Sequence, residues 1–183
     1  MKEESHPVKE YLFRHIKKSE KRFQELFSLT KLDEIINDIM KNCYSKVTLM
    51  EDKEESLGVL AVGVLHYMLT NAMLTSQRKI MYQGIELDIV IPDLKTLEKD
   101  PRKTLIIFIP KTLDKKLINK KLRQLQKIQP EKQNIWIVLT QDLGFECKTY
   151  IIKKENSSFS KIIYDIANFV NIQGQNKLKI LRV

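Results

Sequence analysis

Cysteine is scarce in this chain, and Cys43 and Cys147 stand far apart with no CxxC in 183 residues. The three histidines, His6, His15 and His66, form no HxH or HExxH pattern, so no zinc centre built from His and Cys is expected. With no disulfide framework and no start resembling a secretory signal, a reducing cytoplasm is the expected compartment. Five glycines leave little room for a Gly-rich phosphate loop, and neither GxGxxG nor GxSxG occurs, which speaks against nucleotide hydrolysis. Long hydrophobic runs are also missing. The most apolar stretch, Leu57 to Leu74, is interrupted by His66, Tyr67, Thr70 and Asn71 before it reaches the roughly 20 apolar residues that a bilayer needs. Acids precede it and bases follow, so the expectation is a buried core helix and no membrane association.

What the chain has in excess is positive charge. Thirty-two Lys and Arg against 23 Asp and Glu give +9, a balance that favours a polyanionic partner such as nucleic acid. The length suits one domain, or one domain with a helical extension, and permits a core without covalent staples. Helical periodicity appears twice before residue 50: Tyr11, Leu12, Ile16, Phe23, Leu26 and Phe27, then Leu32, Ile35, Ile36, Ile39 and Met40. Two amphipathic helices are expected, the second capped at Thr30 or alternatively at Ser28. Residues 1–50 thus form an N-terminal helical extension, which either folds back on the core or offers a homodimer or protein-partner surface. Residues 51–183 form the α/β domain. Its acidic opening, Glu51-Asp52-Lys53-Glu54-Glu55-Ser56, suits the positive end of the following helix.

Beyond that helix the pattern alternates. Arg78 to Gln83 and Ile85 to Ile91 read as strands joined at Gly84, and Pro92-Asp93 ends the second. A polar loop, Lys95 to Lys103, leads to Thr104–Ile109, a short β-branched run with the character of a central strand, closed by Pro110. Lys115 to Ile128 is helical, with Leu117, Ile118, Leu122, Leu125 and Ile128 on one side, and Asn134 to Thr140 is a further buried strand that takes Trp136 into the core. Strand, helix and strand in this order predict a parallel pair with a right-handed crossover. Lys148 to Lys153 supplies another strand. Ser157-Ser158 reads as the cap of a last helix through Phe159, Ile162, Ile163, Ile166, Ala167 and Val170, and Leu178 to Leu181 as an edge strand.

The order helix, three meandering strands, helix, strand, strand, helix, together with Gly84-Ile85-Glu86-Leu87-Asp88-Ile89-Val90 and Thr104-Leu105-Ile106-Ile107-Phe108-Ile109-Pro110-Lys111, resembles the PD-(D/E)XK, or restriction-endonuclease-like, superfamily. The likeness runs from Glu55 to Val170 and is nearest to archaeal Holliday-junction-resolvase and Mrr-type nucleases. It implies an α/β fold with a mixed central sheet flanked by helices. In such proteins a second-strand acid and a third-strand (D/E)xK tripeptide hold one or two divalent metals, Mg²⁺ or Mn²⁺, and a first-helix glutamate often completes the site. Carried onto this chain, Asp88 takes the second-strand acid, Lys111 the lysine, and Glu55, with Glu54 as alternative, the helix acid; Asp88 and Glu55 would be the metal ligands. Ile109 stands where the second acid belongs, so a hard cation loses an oxygen ligand there. Glu86, two residues from Asp88 along the strand, is a candidate migrated acid, and Asp93 is another.

Downstream, Lys116, Lys120, Arg123 and Lys127 fall on one helical stripe opposite the apolar face, with Lys115 beside them, the spacing expected of phosphate-contacting side chains. No aromatic is interleaved with the stripe, which favours duplex or junction backbone contact over base stacking, and DNA over RNA. Two functions from different classes follow. One is a catalytically silent nuclease-fold module that binds nucleic acid or serves as an interaction subunit; the other is an active metal-dependent nuclease with a migrated acid.

Overall fold

The computed structural model describes residues 6–173, so the edge strand expected at Leu178 to Leu181 lies outside the described residues. Three helices precede residue 50, where two were expected. Helix α1, Pro7–Lys18, places proline in its first turn, where a missing N–H costs nothing. The chain leaves the helix at Ser19, whose N–H bonds back to the His15 and Ile16 carbonyls, and α2, Glu20–Ser28, follows at once. Helix α3 spans Leu32–Val47 and is capped by neither expected residue. Thr30 adopts a left-handed φ of 56° as α2 ends, and Ser28 Oγ donates to Gln24 O within α2. The first N–H of α3, on Leu32, donates instead to the Tyr164 hydroxyl at 2.9 Å, a cap supplied from the far end of the chain.

Helix α4, Lys53–Asn71, is the expected core helix, capped by Asp52 Oδ1 accepting from Glu55 N at 2.9 Å. It is apolar around most of its circumference because it is covered by α1 and α3 as well as by the sheet. Gly63 allows a close approach to α1, since a β-carbon there would lie 2.6 Å from Leu12 Cδ2, whereas one on Gly58 would meet Ile109 Cγ2 at an ordinary 3.8 Å. No helix among the described residues is long and apolar enough to cross a membrane.

Strands β1, Gln77–Tyr82, and β2, Ile85–Ile91, form a hairpin closed by Gln83 and Gly84, both left-handed, as a two-residue loop matched to strand twist requires. The segment expected as a polar loop contains helix α5, Leu94–Lys99, and a 3₁₀ turn, Pro101–Lys103. Asp93 starts α5, its Oδ1 accepting from both the N–H and the hydroxyl of Thr96, so a side-chain cap overrides the polar composition. Strand β3, Leu105–Phe108, pairs antiparallel with β2, and after helix α6, Lys115–Ile128, strand β4, Ile135–Leu139, pairs parallel with β3. Strand β5, Lys148–Ile151, is parallel to β4, and helix α7, Ile162–Ile172, follows a 3₁₀ turn begun by Ser157, whose Oγ accepts from Phe159 N.

The protein is therefore mixed α/β, an open sheet in the order β1-β2-β3-β4-β5 with helices on both faces. Alternation sends Leu105, Ile107, Trp136 and Val138 into one core with α1–α4 and α7, and Ile106, Phe108, Ile135 and Ile137 into a second core with α6. The N-terminal helices fold back onto the first core. On α6 the apolar face is Ile118, Leu122, Leu125 and Ile128, whereas Leu117, expected among them, is 55 % exposed.

The contact between α1 and α4 at Gly63 can be tested directly. Gly63→Val forces a branched side chain into the space of Leu12 Cδ2 and is expected to lower unfolding free energy by about 1–3 kcal/mol in chemical denaturation, with Gly63→Ala costing less because a leucine methyl can give way.

Candidate active site

The site grows from an interruption in the sheet. On the β1 side the register pairs Arg78 with Ile89 and Ile80 with Leu87 but skips Lys79 and Asp88, and Lys79 has a left-handed φ of 51°. On the β3 side pairing begins only at Ile89 with Ile107. Asp88 thus stands where β2 is released by both neighbours. The backbone N–H of Ile109, freed by that divergence, donates to Asp88 Oδ2 at 2.8 Å. Burial pushes the Asp88 carboxyl up to about 6; the Ile109 N–H opposes this, the Glu86 charge adds to it, and Lys121 and Lys111 oppose it.

Glu86, Asp88 and Lys111 line one cavity of about 260 Å³ beneath the first turns of α6, so three of the expected catalytic residues come together. Glu55 joins from the side, its Oε1 3.1 Å from Lys111 Nζ. This placement follows from local sequence. Gly58 of α4 lies beside Ile109, Pro110 and Lys111 at the end of β3, and Glu55, three residues earlier and so on the same helix face, meets the side chain just past Pro110. Both partners are substantially exposed, so their pairing orients Lys111 and adds little stability. Glu54, the alternative helix acid, is engaged elsewhere, accepting from Thr140 Oγ1 at 2.6 Å at the end of β4. Asp93 is the α5 cap and does not line the cavity.

Ile109 shows what the missing acid means in three dimensions. Its side chain is 3 % exposed and belongs to the α4-facing core, while only its N–H serves Asp88. The cavity therefore offers Asp88 and Glu86 as carboxylates. Magnesium takes one or two carboxylates, with water and substrate phosphate completing its shell, so that pair has the right chemistry for a hard cation. Among the described residues, however, no three His, Cys, Asp or Glu side chains are grouped to hold a metal ion, and Glu55 reaches the cavity only through Lys111.

No family model matches the chain, and neither a curated protein nor a solved structure matches it.

Lys121 is the site residue that sequence reasoning passed over. It lines the cavity beside Leu117 and Ile118 and lowers the Asp88 pKa. The signal was present: positions 117, 118 and 121 share one helix flank. The expected basic stripe lies elsewhere. Lys116, Lys120, Arg123 and Lys127 are exposed along a shallow groove on the solvent side of α6, and none of them lines the Asp88 cavity.

Asp88 gives the stability of the protein a definite pH dependence. Its carboxyl ionises near 3.8 when unfolded and near 6 when folded, so the folded state holds the extra proton between those values. Stability contributed by this group falls as pH rises through that window, by on the order of 3 kcal/mol in total. Asp88→Asn stays neutral and can still accept from Ile109 N. Urea unfolding should find this variant more stable than the parent above pH 7 and indistinguishable from it near pH 4.

Proposed function

We propose that this chain is a nuclease-like α/β module that binds nucleic acid, DNA in preference to RNA, and has lost most or all phosphodiester hydrolysis. The observation that carries the proposal is the pairing of an assembled cavity, Glu86, Asp88 and Lys111 with Lys121, with an isoleucine at the remaining acid position whose side chain is built into the core. The element order and the resemblance to the PD-(D/E)XK superfamily support the same view, as does the net charge of +9.

The chemistry follows from what the residues offer. Lys111 and Lys121 present ammonium groups to a phosphate at the cavity mouth, where one charge-assisted contact replaces the Lys111–Glu55 pair. Hydrolysis needs more: a fixed cation to lower the pKa of water, and carboxylates to hold it. Asp88 is half-buried, committed in part to a backbone N–H, and reluctant to ionise, which weakens it as a ligand below neutral pH. The exposed stripe on α6, along its shallow solvent-side groove, adds cations placed to contact duplex phosphates.

A second reading, an active nuclease using Glu86 as a migrated acid with Mg²⁺ or Mn²⁺, is favoured by Glu86 and Asp88 sharing the cavity. One assay separates the two. Branched, duplex and single-stranded DNA incubated with either metal are expected to remain intact, and turnover abolished by Asp88→Ala would establish the enzyme instead. Reversal of Lys116, Lys120 and Lys127 to glutamate should weaken duplex binding and flatten its salt dependence by about 0.9 log unit per lost contact. Binding unchanged by that reversal would remove the stripe from the interface.

A further inference from the structure

A cleft of about 940 Å³ lies on the flank of α6 away from Asp88, walled on its other side by the segment that joins β4 to β5. Lys115, Asn119, Leu122 and Gln126 recur at i, i+4, i+7 and i+11 and form its helical wall, which runs about 16 Å along the axis. We infer that this cleft seats unpaired nucleotides of a nucleic-acid strand, their phosphates on cations at the rim and their bases against its floor. The inference rests on the nucleic-acid reading above and assigns it a second, single-strand-specific surface.

Three features of the cleft carry it. Lys115, Arg123 and Lys132 are exposed at the rim and none is ion-paired among the described residues, while Glu146 is the one acid lining the cleft. Lys148 lines the cleft too, but its ammonium is drawn to Asp165 at 3.0 Å and lies 4.4 Å from the Trp136 ring centroid, so its charge serves the opposite face. Beneath the rim the surface is uncharged and partly apolar: Leu122 and Ile135 form a floor, and Phe145 stands half-buried in the facing wall. Phe145 supplies the aromatic that the α6 stripe lacks, and base stacking on such a ring is tolerant of sequence.

The third feature is a set of amides. The side chains of Asn119, Gln126 and Gln133 line the cleft, are exposed, and are without hydrogen-bond partners among the described residues. An amide side chain donates and accepts at once, which is what the edge of an unpaired base requires. Simple phosphate capture needs only donors. A duplex keeps its base faces stacked inside and has nothing to place on an apolar floor, so the cleft discriminates against it. Arg123 lines both the cleft and the groove of the outer stripe, so a strand emerging from a duplex on the stripe has a continuous path into the cleft.

The test compares a fluorescein-labelled single-stranded oligonucleotide with a blunt-ended duplex of equal length in fluorescence anisotropy, using the full chain. Gln126→Ala combined with Lys132→Glu alters only exposed side chains and is expected to weaken single-strand binding roughly tenfold while leaving duplex affinity unchanged. Phe145→Ala, checked for folding by circular dichroism, should weaken it in the same sense, and Asn119→Ala serves where Phe145→Ala fails to fold. Single-strand affinity indifferent to these cleft variants, with duplex affinity still sensitive to the Lys116, Lys120 and Lys127 reversal, overturns the cleft and leaves the proposed function standing. Failure of both probes to bind overturns both. Polyglutamate of matched charge displacing the single strand as well as unlabelled oligonucleotide does would show a charge-reading surface for acidic polypeptide, and overturns the assignment.

Discussion

The hydrogen bond from Ile109 N to Asp88 is the contact on which the candidate site depends. A carboxylate in a mostly buried position loses hydration that only strong local donors restore. Here the donor is a backbone N–H left over where β2 and β3 part, so the divergence of the strands and the retention of the acid are one event. The same divergence opens the cavity that Glu86, Lys111 and Lys121 line, and the end of β3 then carries Lys111 toward the start of α4. Remove the parting of these strands and the acid would have neither room nor partner.

Helix α6 divides its surface into lanes with different surroundings. Ile118, Leu122, Leu125 and Ile128 hold it to the sheet; Lys121 with Leu117 borders the Asp88 cavity; Lys116, Lys120, Arg123 and Lys127 face solvent; and Lys115, Asn119 and Gln126 border the larger cleft. A run of cations that looks uniform along the chain is thus distributed among three environments, each with its own depth and polarity. Under the proposed function, charge would draw a polyanion to the helix, and the apolar and amide content of each lane would determine which form of it settles.

Legibility in the sequence varied with how local the deciding interaction was. The bounds of α6 and the strands β3 and β4 were readable because strong periodicity and flanking prolines act within a few residues. Asp88, Glu86 and Lys111 were readable as a set through resemblance and strand period, and the cavity brings them together. The start of α3 was not readable, since its cap is a tyrosine hydroxyl from α7, brought there by tertiary packing. Helix α5 was hidden by its polar composition, although Asp93 and Thr96 spelled a cap. The cleft opposite Asp88 was illegible for another reason: Phe145 and Gln126 become neighbours only when the segment between β4 and β5 folds beside α6.

Among the described residues strand β1 pairs with β2 alone, which leaves the outer row of its amide and carbonyl groups without a described strand partner. Such a margin invites a foreign chain to add itself, and the first step of fibrillar growth is of this kind. Left-handed Lys79 breaks the straight run of β1 in its middle, and exposed Arg78 sets a second positive charge beside the break. An incoming strand meets two short stretches parted at Lys79 and guarded by cations, so the backbone distortion opposite Asp88 also makes this edge a poorer template for a foreign chain.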